Sequence, residues 1–433
     1  QVWLKTCWMQ SRMLPLSIFL CWGLCLTRSA ALDVEWLSHR ASQIISGCTL
    51  PGKNDTTLYT PDASHGYGAQ WTRDFYYTVS GAPELMDPVK VKRAVRYTFN
   101  GQRADGCMPD RVQADGQSVM SPGPMMPNNT RNPGHDHAWD NGPFAALLLA
   151  ATNDAWPDKD FFCELEPAAR RALDFVNRSS NGLVFNDFLW PNCTYGFTDG
   201  VAKTGNLLFT SLLYIDASRS MAKLAQRFGC GDAAKYESEA HTVSVAIDVM
   251  KDPHGPLWLA ASVDNAIPDV WGSAYLVMLN LSSAESRQAA MDEMVSNRSK
   301  YFRYGQVRSM PYPQYWNRCC FTPGCRQKVG AAGCATPGTY QNGAFWATPM
   351  SYIAAAMIQT GHADFVSELL QECIADFKEY GIYEEVNRGF PVKTKGVNNY
   401  TASATNVLWA AKLVQRNAQS MHLPVQRSAA ADE

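Results

Sequence analysis

The chain has 433 residues, 46% of them hydrophobic and 18% charged, with a formal net charge of −2. That length and apolar content can bury a large core, and the charged fraction lies below the roughly 25% usual for soluble domains. A near-neutral balance with no long basic run and no acidic tail speaks against a nucleic-acid partner.

The first segment is not expected to join the fold. MLPLSIFLCWGLCLT from Met13 is an apolar run of signal-peptide size, with Arg12 before it and Ser29, Ala30 and Ala31 as the cleavage site. It is shorter than the roughly 20 residues a membrane span needs, so no stable membrane insertion of the mature chain is expected. Because the sequence opens on Gln1, Met9 or Met13 is read as the natural start. Secretion, or residence in a secretory-pathway lumen, is also the reading of seven N-x-S/T sequons, at Asn54, Asn128, Asn177, Asn192, Asn280, Asn297 and Asn399. Of the 13 cysteines, Cys7, Cys21 and Cys25 fall in the leader; the ten that remain form an even set, as disulfides require. Four of these lie in CCFTPGCRQKVGAAGC, Cys319 to Cys334. Adjacent cysteines without a His at ligand spacing read as a stapled loop rather than a zinc site.

Helical patterns then recur with short connections. An amphipathic run at 32–47 ends on a glycine, 73–82 is short and apolar, and 87–102 opens on an Asp-Pro start signal. DNGPFAALLLAATND, 140–154, is apolar nearly all round and must be wrapped by other helices. Mixed runs at 158–180 and 232–250 flank another long run at 202–229. Further helices are expected at 268–281, 282–297, 343–361, 362–381 and 403–419. Apolar, small-residue helices alternate with charged amphipathic ones, which fits six inner helices ringed by six outer ones. The fold is therefore read as all-α, one catalytic domain over 32–420 followed by a disordered tail at 421–433. The irregular stretches near 103–136 and 303–341 are expected to be long loops over one face.

Three clusters sit where inner helices begin: QWTRDFYY (Gln70–Tyr77), HDHAWDNGPF (His135–Phe144) and YQNGAFW (Tyr340–Trp346), the last followed by YGIYEEVNRG (Tyr380–Gly389). Sugars present apolar faces and a rim of hydroxyls, so a site for them needs aromatic platforms beside planar polar partners. Trp71, Arg73, Asp74, Trp139, Tyr340, Gln341, Asn342 and Trp346 supply that mixture; a Trp is more often core, but Trp71, Trp139 and Trp346 each stand in a Gly- or Asp-containing loop and are read as sugar platforms. Cleaving a glycosidic bond needs a protonated acid against the leaving oxygen and a second carboxylate as nucleophile or base. Asp140, between Trp139 and an apolar helix, fits an acid whose pKa is raised by desolvation; it fits an N-cap equally well. Glu384 and Glu385 offer the second carboxylate, or form an exposed charged turn. His135, Asp136, His137 and Asp140 also invite a metal, but the H-x-x-x-H spacing is missing and none is assigned. No G-x-S-x-G elbow or phosphate loop occurs.

In order and spacing these segments resemble the six-hairpin glycosidases, the (α/α)6 toroid group, and in layout its neutral/alkaline invertase and debranching-enzyme-like branches. WTRDF resembles the family's W-x-R-D segment, ADGCMPD (Ala104–Asp110) its G-x-(M/I)-P loop, WDNGPF its D-S-G-x-x-W segment, YQNGAFW its Y-x-N-G-x-x-W segment, and GIYEE its G-x-x-E turn. The resemblance implies that Asp140 is the general acid and Glu384 the general base, with Glu385 the register alternative. YGFTDGVAKTG (Tyr195–Gly205) resembles the aromatic-Asp-Lys stretch of related sugar pockets, which puts Asp199 and Lys203 on substrate hydroxyls. It further implies inverting hydrolysis of an oligosaccharide or glycan with no metal or organic cofactor. Asn141 in place of the commoner Ser, Pro143 after Gly142, and the cysteine load depart from the pattern and bear on the substrate. Two other readings stay open on the same toroid. One is an epimerase or polysaccharide lyase using His135, His137 or Tyr340; the other is a non-catalytic carbohydrate-binding protein.

Overall fold

The computed structural model describes residues 32–122, 137–188, 192–319, 335–387 and 394–422. The leader, nearly all of the tail, the sequon at Asn128, His135, Asp136, and Cys320, Cys325 and Cys334 of the stapled-loop reading lie outside the described residues. Thirteen helices form among those described: α1 (Val34–Gly47), α2 (Thr72–Gly81), α3 (Pro88–Asn100), α4 (Asn141–Ala155), α5 (Lys159–Asp174), α6 (Leu208–Phe228), α7 (Ala233–Ala246), α8 (Val270–Met278), α9 (Ala284–Ser296), α10 (Arg298–Tyr301), α11 (Met350–Gln359), α12 (Ala363–Tyr380) and α13 (Thr401–His422). Many starts are chemically marked. Asp33, Asp87, Asp158, Asp232 and Asp269 each accept a backbone N–H of the helix that follows, which satisfies donors a helix leaves open at its first turn.

Six of these helices close a ring by packing in succession: α2 on α4, α4 on α6, α6 on α8, α8 on α11, α11 on α13, and α13 back on α2. The outer layer leans on it, with α1 on α13, α3 and α5 on α4, α7 on α6, α9 on α8, and α12 on both α11 and α13. This is the (α/α)6 toroid, and the cause is visible in the side chains. α4 is buried on all sides, from Asn141 through Ala150; each fully buried Leu is worth about 1.5–3 kcal/mol. Gly142 lets α4 touch α5, because a Cβ there would stand 2.4 Å from the Ala172 carbonyl oxygen.

The bore of the ring is filled with tyrosines. The Tyr77 hydroxyl lies 2.8 Å from that of Tyr352 and 3.1 Å from that of Tyr195. Tyr275 stacks on Tyr352 at 4.3 Å and donates to Asp216 at 2.5 Å.

The structure departs from the expected elements in three places. The helix expected at 343–361 begins only at Met350, because Phe345–Trp346 joins a five-stranded sheet between Gln306–Arg308 and Tyr383–Val386. The run at 202–229 starts late as well: Gly205 takes φ +79 in a short strand, a conformation no helix continues. Within the stretches read as loops, Arg111–Val112 pairs with Gln70–Trp71 on one side and with Ser118–Val119 on the other. Such two-residue strands carry no readable period.

Between two described residues, the disulfide Cys163–Cys230 ties α5 to the residue after the α6 cap and closes a span of 67 residues. Breaking it with Cys163→Ser is expected to lower unfolding free energy by about 2–4 kcal/mol, measured by urea titration against the unreduced parent.

Candidate active site

The N-terminal ends of the inner helices gather the polar residues. Arg73, in the first turn of α2, is buried and reaches two carboxylates: its Nε donates to Asp140 Oδ2 at 3.1 Å, and its Nη2 pairs with Asp110 Oδ1. Asp110 in turn accepts from Arg111 at 3.2 Å. Burial works against the guanidinium charge, but Asp110 and Asp140 outweigh it and hold Arg73 firmly cationic. Its sequence neighbour Asp74 does not pair with it by hydrogen bond; Asp74 accepts from the Tyr400 hydroxyl at 2.5 Å, and burial lifts its pKa to about 6.

Asp140 stands at the N-cap position of α4 yet does not cap the helix. Its Oδ2 accepts from Arg73 and from the Gly196 N–H at 2.8 Å. Its Oδ1 is buried without a partner among the described residues. Burial raises the Asp140 pKa; Arg73 and the Gly196 N–H pull it back only in part. The reading of Asp140 as an ordinary cap therefore falls. Gly196 is required by this contact, since a Cβ there would lie 1.9 Å from Arg73 Nε. Gly196→Ala is expected to displace the guanidinium and cut turnover at least about tenfold, with near-native circular dichroism separating this from unfolding.

Glu384 and Glu385 lie on the strand Tyr383–Val386, so they point to opposite faces. Both are buried. Glu385 pairs in register with Trp346, and Glu384 Oε1 accepts from the Tyr67 hydroxyl at 2.6 Å. Burial and then the adjacent charge of Glu385 push the Glu384 pKa well up. Tyr67 meets Trp71 edge-on at 5.3 Å and Tyr400 at 6.3 Å, which links this carboxylate to the Arg73 and Asp74 side of the ring. Asp199 is half-buried, with its pKa lifted to about 6 by burial, and its charge is felt at Glu384. Tyr340, packed on Trp346 at 5.8 Å, feels the charges of Asp199, Glu384 and Glu385.

Trp71, Arg73, Asp74, Asp140, Asp199, Tyr340, Trp346, Glu384 and Glu385 are thus brought to one end of the ring. The remaining sequence candidates are engaged elsewhere. The Trp139 indole N–H donates to Asn186 at 2.9 Å, and its ring packs on His137 and Phe175. Lys203 is buried against the Trp316 ring and donates to Thr198 at 2.8 Å. Gln341 spans Asp199 and the Gly200 N–H, while Asn342 holds the Trp316 N–H and the Ala335 carbonyl. These two amides act as struts between loops. Sequence reasoning did not single out Tyr67, Asp110, Gly196 or Tyr400 as site residues. Gly196 stood inside one quoted segment, Asp110 closed another, and Tyr67 lies three residues before the first cluster. Among the described residues no group of three or more His, Cys, Asp or Glu could hold a metal ion.

No protein-family model matches the chain, and no curated protein does. Solved structures do. The GH63 mannosylglycerate hydrolase from Thermus thermophilus in complex with glucose aligns with a TM-score of 0.62 at 15% identity, over 86% of this chain and 99% of that one. The rhamnosidase from Klebsiella oxytoca with rhamnose bound gives 0.59 at 14% identity, over 88% of this chain and 64% of that one. The GH78 family rhamnosidase of Bacillus sp. GL1 gives 0.59 at 12%, over 87% and 34%. At such identities the likeness is one of architecture, and it agrees with the closed ring of inner helices. The chain has the fold of the six-hairpin glycosidases, an (α/α)6 toroid.

Proposed function

We propose that the protein is a secreted glycoside hydrolase that cleaves a glycosidic bond with inversion, Asp140 serving as general acid and Glu384 as general base. The observation that carries this reading is the Asp140 carboxyl. One oxygen is anchored by Arg73 and the Gly196 N–H, the other has no protein partner among the described residues, and burial favours the protonated form. A carboxyl held that way can give its proton to a leaving-group oxygen that meets Oδ1. Glu384 must be ionised to take a proton from water, and the Tyr67 hydroxyl orients it by donating to one oxygen. Trp71, half-buried at this end of the ring, offers an apolar ring face for a hexopyranose, while Trp346 is fully buried and backs the site. The sugars named for the similar structures, glucose and rhamnose, are of that class. Secretion rests on the leader, the sequons and the Cys163–Cys230 bridge.

The test is a panel of aryl glycosides and oligosaccharides, with the anomer of the first product followed by NMR. Inverted configuration supports the mechanism, and retained configuration overturns it. A pH profile discriminates the two glutamates. Glu384 carries a raised pKa, so the acid limb of kcat/KM lies above the ordinary carboxylate range near 4.5. Glu385→Gln removes a like charge, lowers the Glu384 pKa and moves that limb to lower pH, with hydrolysis still measurable.

A further inference from the structure

A cleft of about 830 Å³ opens on the outer wall of the toroid, and none of its lining residues belongs to the carboxylate site. Ser296, Arg298 and Ser299 line it, and they bracket the sequon residue Asn297. The opposite wall is the last turn of α12, with Asp376, Glu379 and Tyr380. Tyr304, on the turn after Phe302–Arg303, contributes a second phenol.

The walls are fixed in place. Gly305, at φ +65, is pressed on α12, where a Cβ would stand 2.0 Å from the Leu369 carbonyl oxygen. Gln306 donates to Asp376 Oδ2 at 3.0 Å across the same junction. The Tyr304 hydroxyl is buried with no partner among the described residues, and Tyr380 is 38% exposed at the rim. Aromatic rings beside carboxylates and a guanidinium are the chemistry that recognises pyranose faces and hydroxyls, and the cleft lies within the roughly 300–1,000 Å³ of small-ligand sites.

We propose that this cleft is a seat for hexose rings, filled by the glycan carried on Asn297. The half-exposed Asn297 amide donates from Nδ2 to Glu293 Oε2 at 2.9 Å, and it keeps one N–H after a sugar is joined. Attachment forms an Nδ2–C1 bond as the sugar's C1–O bond to a lipid-linked pyrophosphate breaks; the amide proton leaves with that pyrophosphate. A tether of a few bonds then gives an effective concentration of about millimolar, so a weak seat is occupied without a tight one being built. The same chemistry would accept a free oligosaccharide, the second source. The covalent source rests on the secretory reading above; the cleft itself does not.

The experiment has two arms. In the first, the full chain is made in secreting eukaryotic cells, and mass spectrometry follows release of each glycan by an endoglycosidase under native conditions. Release at Asn297 is expected to be at least tenfold slower than at the exposed Asn54, and Tyr380→Ala or prior denaturation is expected to equalise the two. In the second, Asn297→Gln protein is titrated with the oligosaccharide released from those cells and watched by NMR. Saturable shifts that vanish in Tyr380→Ala assign the cleft to free glycan, even where Asn297 itself is bare. Equal release at both sites together with no saturable shift overturns the seat, as does a bare Asn297 together with no shift. Bare asparagines at every sequon would sink the secretory reading, and the titration would then decide the cleft alone.

Discussion

On the proposed mechanism Asp140→Asn is expected to lower kcat by about 10²–10⁴-fold, and Glu384→Gln to do the same, since each would remove a proton-transfer partner worth that much. Sugar binding is expected to survive in both, as read by ligand-induced tryptophan fluorescence or calorimetry. The asparagine keeps the shape of Asp140, and its amide can still accept from Arg73 and Gly196 through the carbonyl oxygen. What it loses is a proton of the right acidity. Arg73 stays held by Asp110, so the fold is expected to remain native. Full activity in both variants would return the site to the epimerase, lyase or binding-protein readings. Activity lost in Glu385→Gln but kept in Glu384→Gln would move the base by one residue and turn it to the other face of the strand.

Arg73→Ala is expected to destabilise the protein by about 3–5 kcal/mol, the cost of removing one partner from a buried ionic set. Urea denaturation reads the loss. Arg73 is nearly inaccessible and bridges Asp110 and Asp140, which are fully buried. Without it Asp140 keeps only the Gly196 N–H, and Asp110 only Arg111, among the described residues. Arg73→Lys tests geometry against charge. A single ammonium cannot copy the Nε and Nη2 reach to two separate carboxylates, so activity falls although the formal charge stays. Because Arg73 and Asp140 are in contact, Arg73→Ala with Asp140→Asn should cost less than the two single changes together.

Much of this architecture was legible in the order of residues. The all-round apolar character of NGPFAALLLAA demanded a wrapped helix, and α4 is packed against α2, α3, α5 and α6. The alternation of small apolar with charged helices gave the two layers. Less legible was the way the site is wired. Arg73 and Asp74 are adjacent in sequence, and a charged pair invites the idea of mutual neutralisation. A helical backbone instead sends them to different partners, Arg73 to Asp110 and Asp140, Asp74 to Tyr400. Asp110 reaches Arg73 because Trp71 pairs with Arg111 across a two-residue strand forty residues on, and no local pattern announces that pairing. Trp139 looked like a sugar platform from its glycine- and aspartate-rich surroundings. Its indole is turned to Asn186 by a parallel bridge between Ala138 and Cys193, again a contact between distant segments. Gln341 and Asn342 show the same limit: planar amides that suit a sugar also suit a loop backbone, and composition does not choose.

The tyrosines that fill the bore plug the middle of the ring. Tyr77, Tyr195, Tyr275 and Tyr352 are almost wholly inaccessible and knitted by hydroxyl contacts and stacking. Among the described residues they leave no open passage along the ring axis. On the reading proposed above, a cleaved sugar would leave by the side on which it entered, since this aromatic plug offers it no channel.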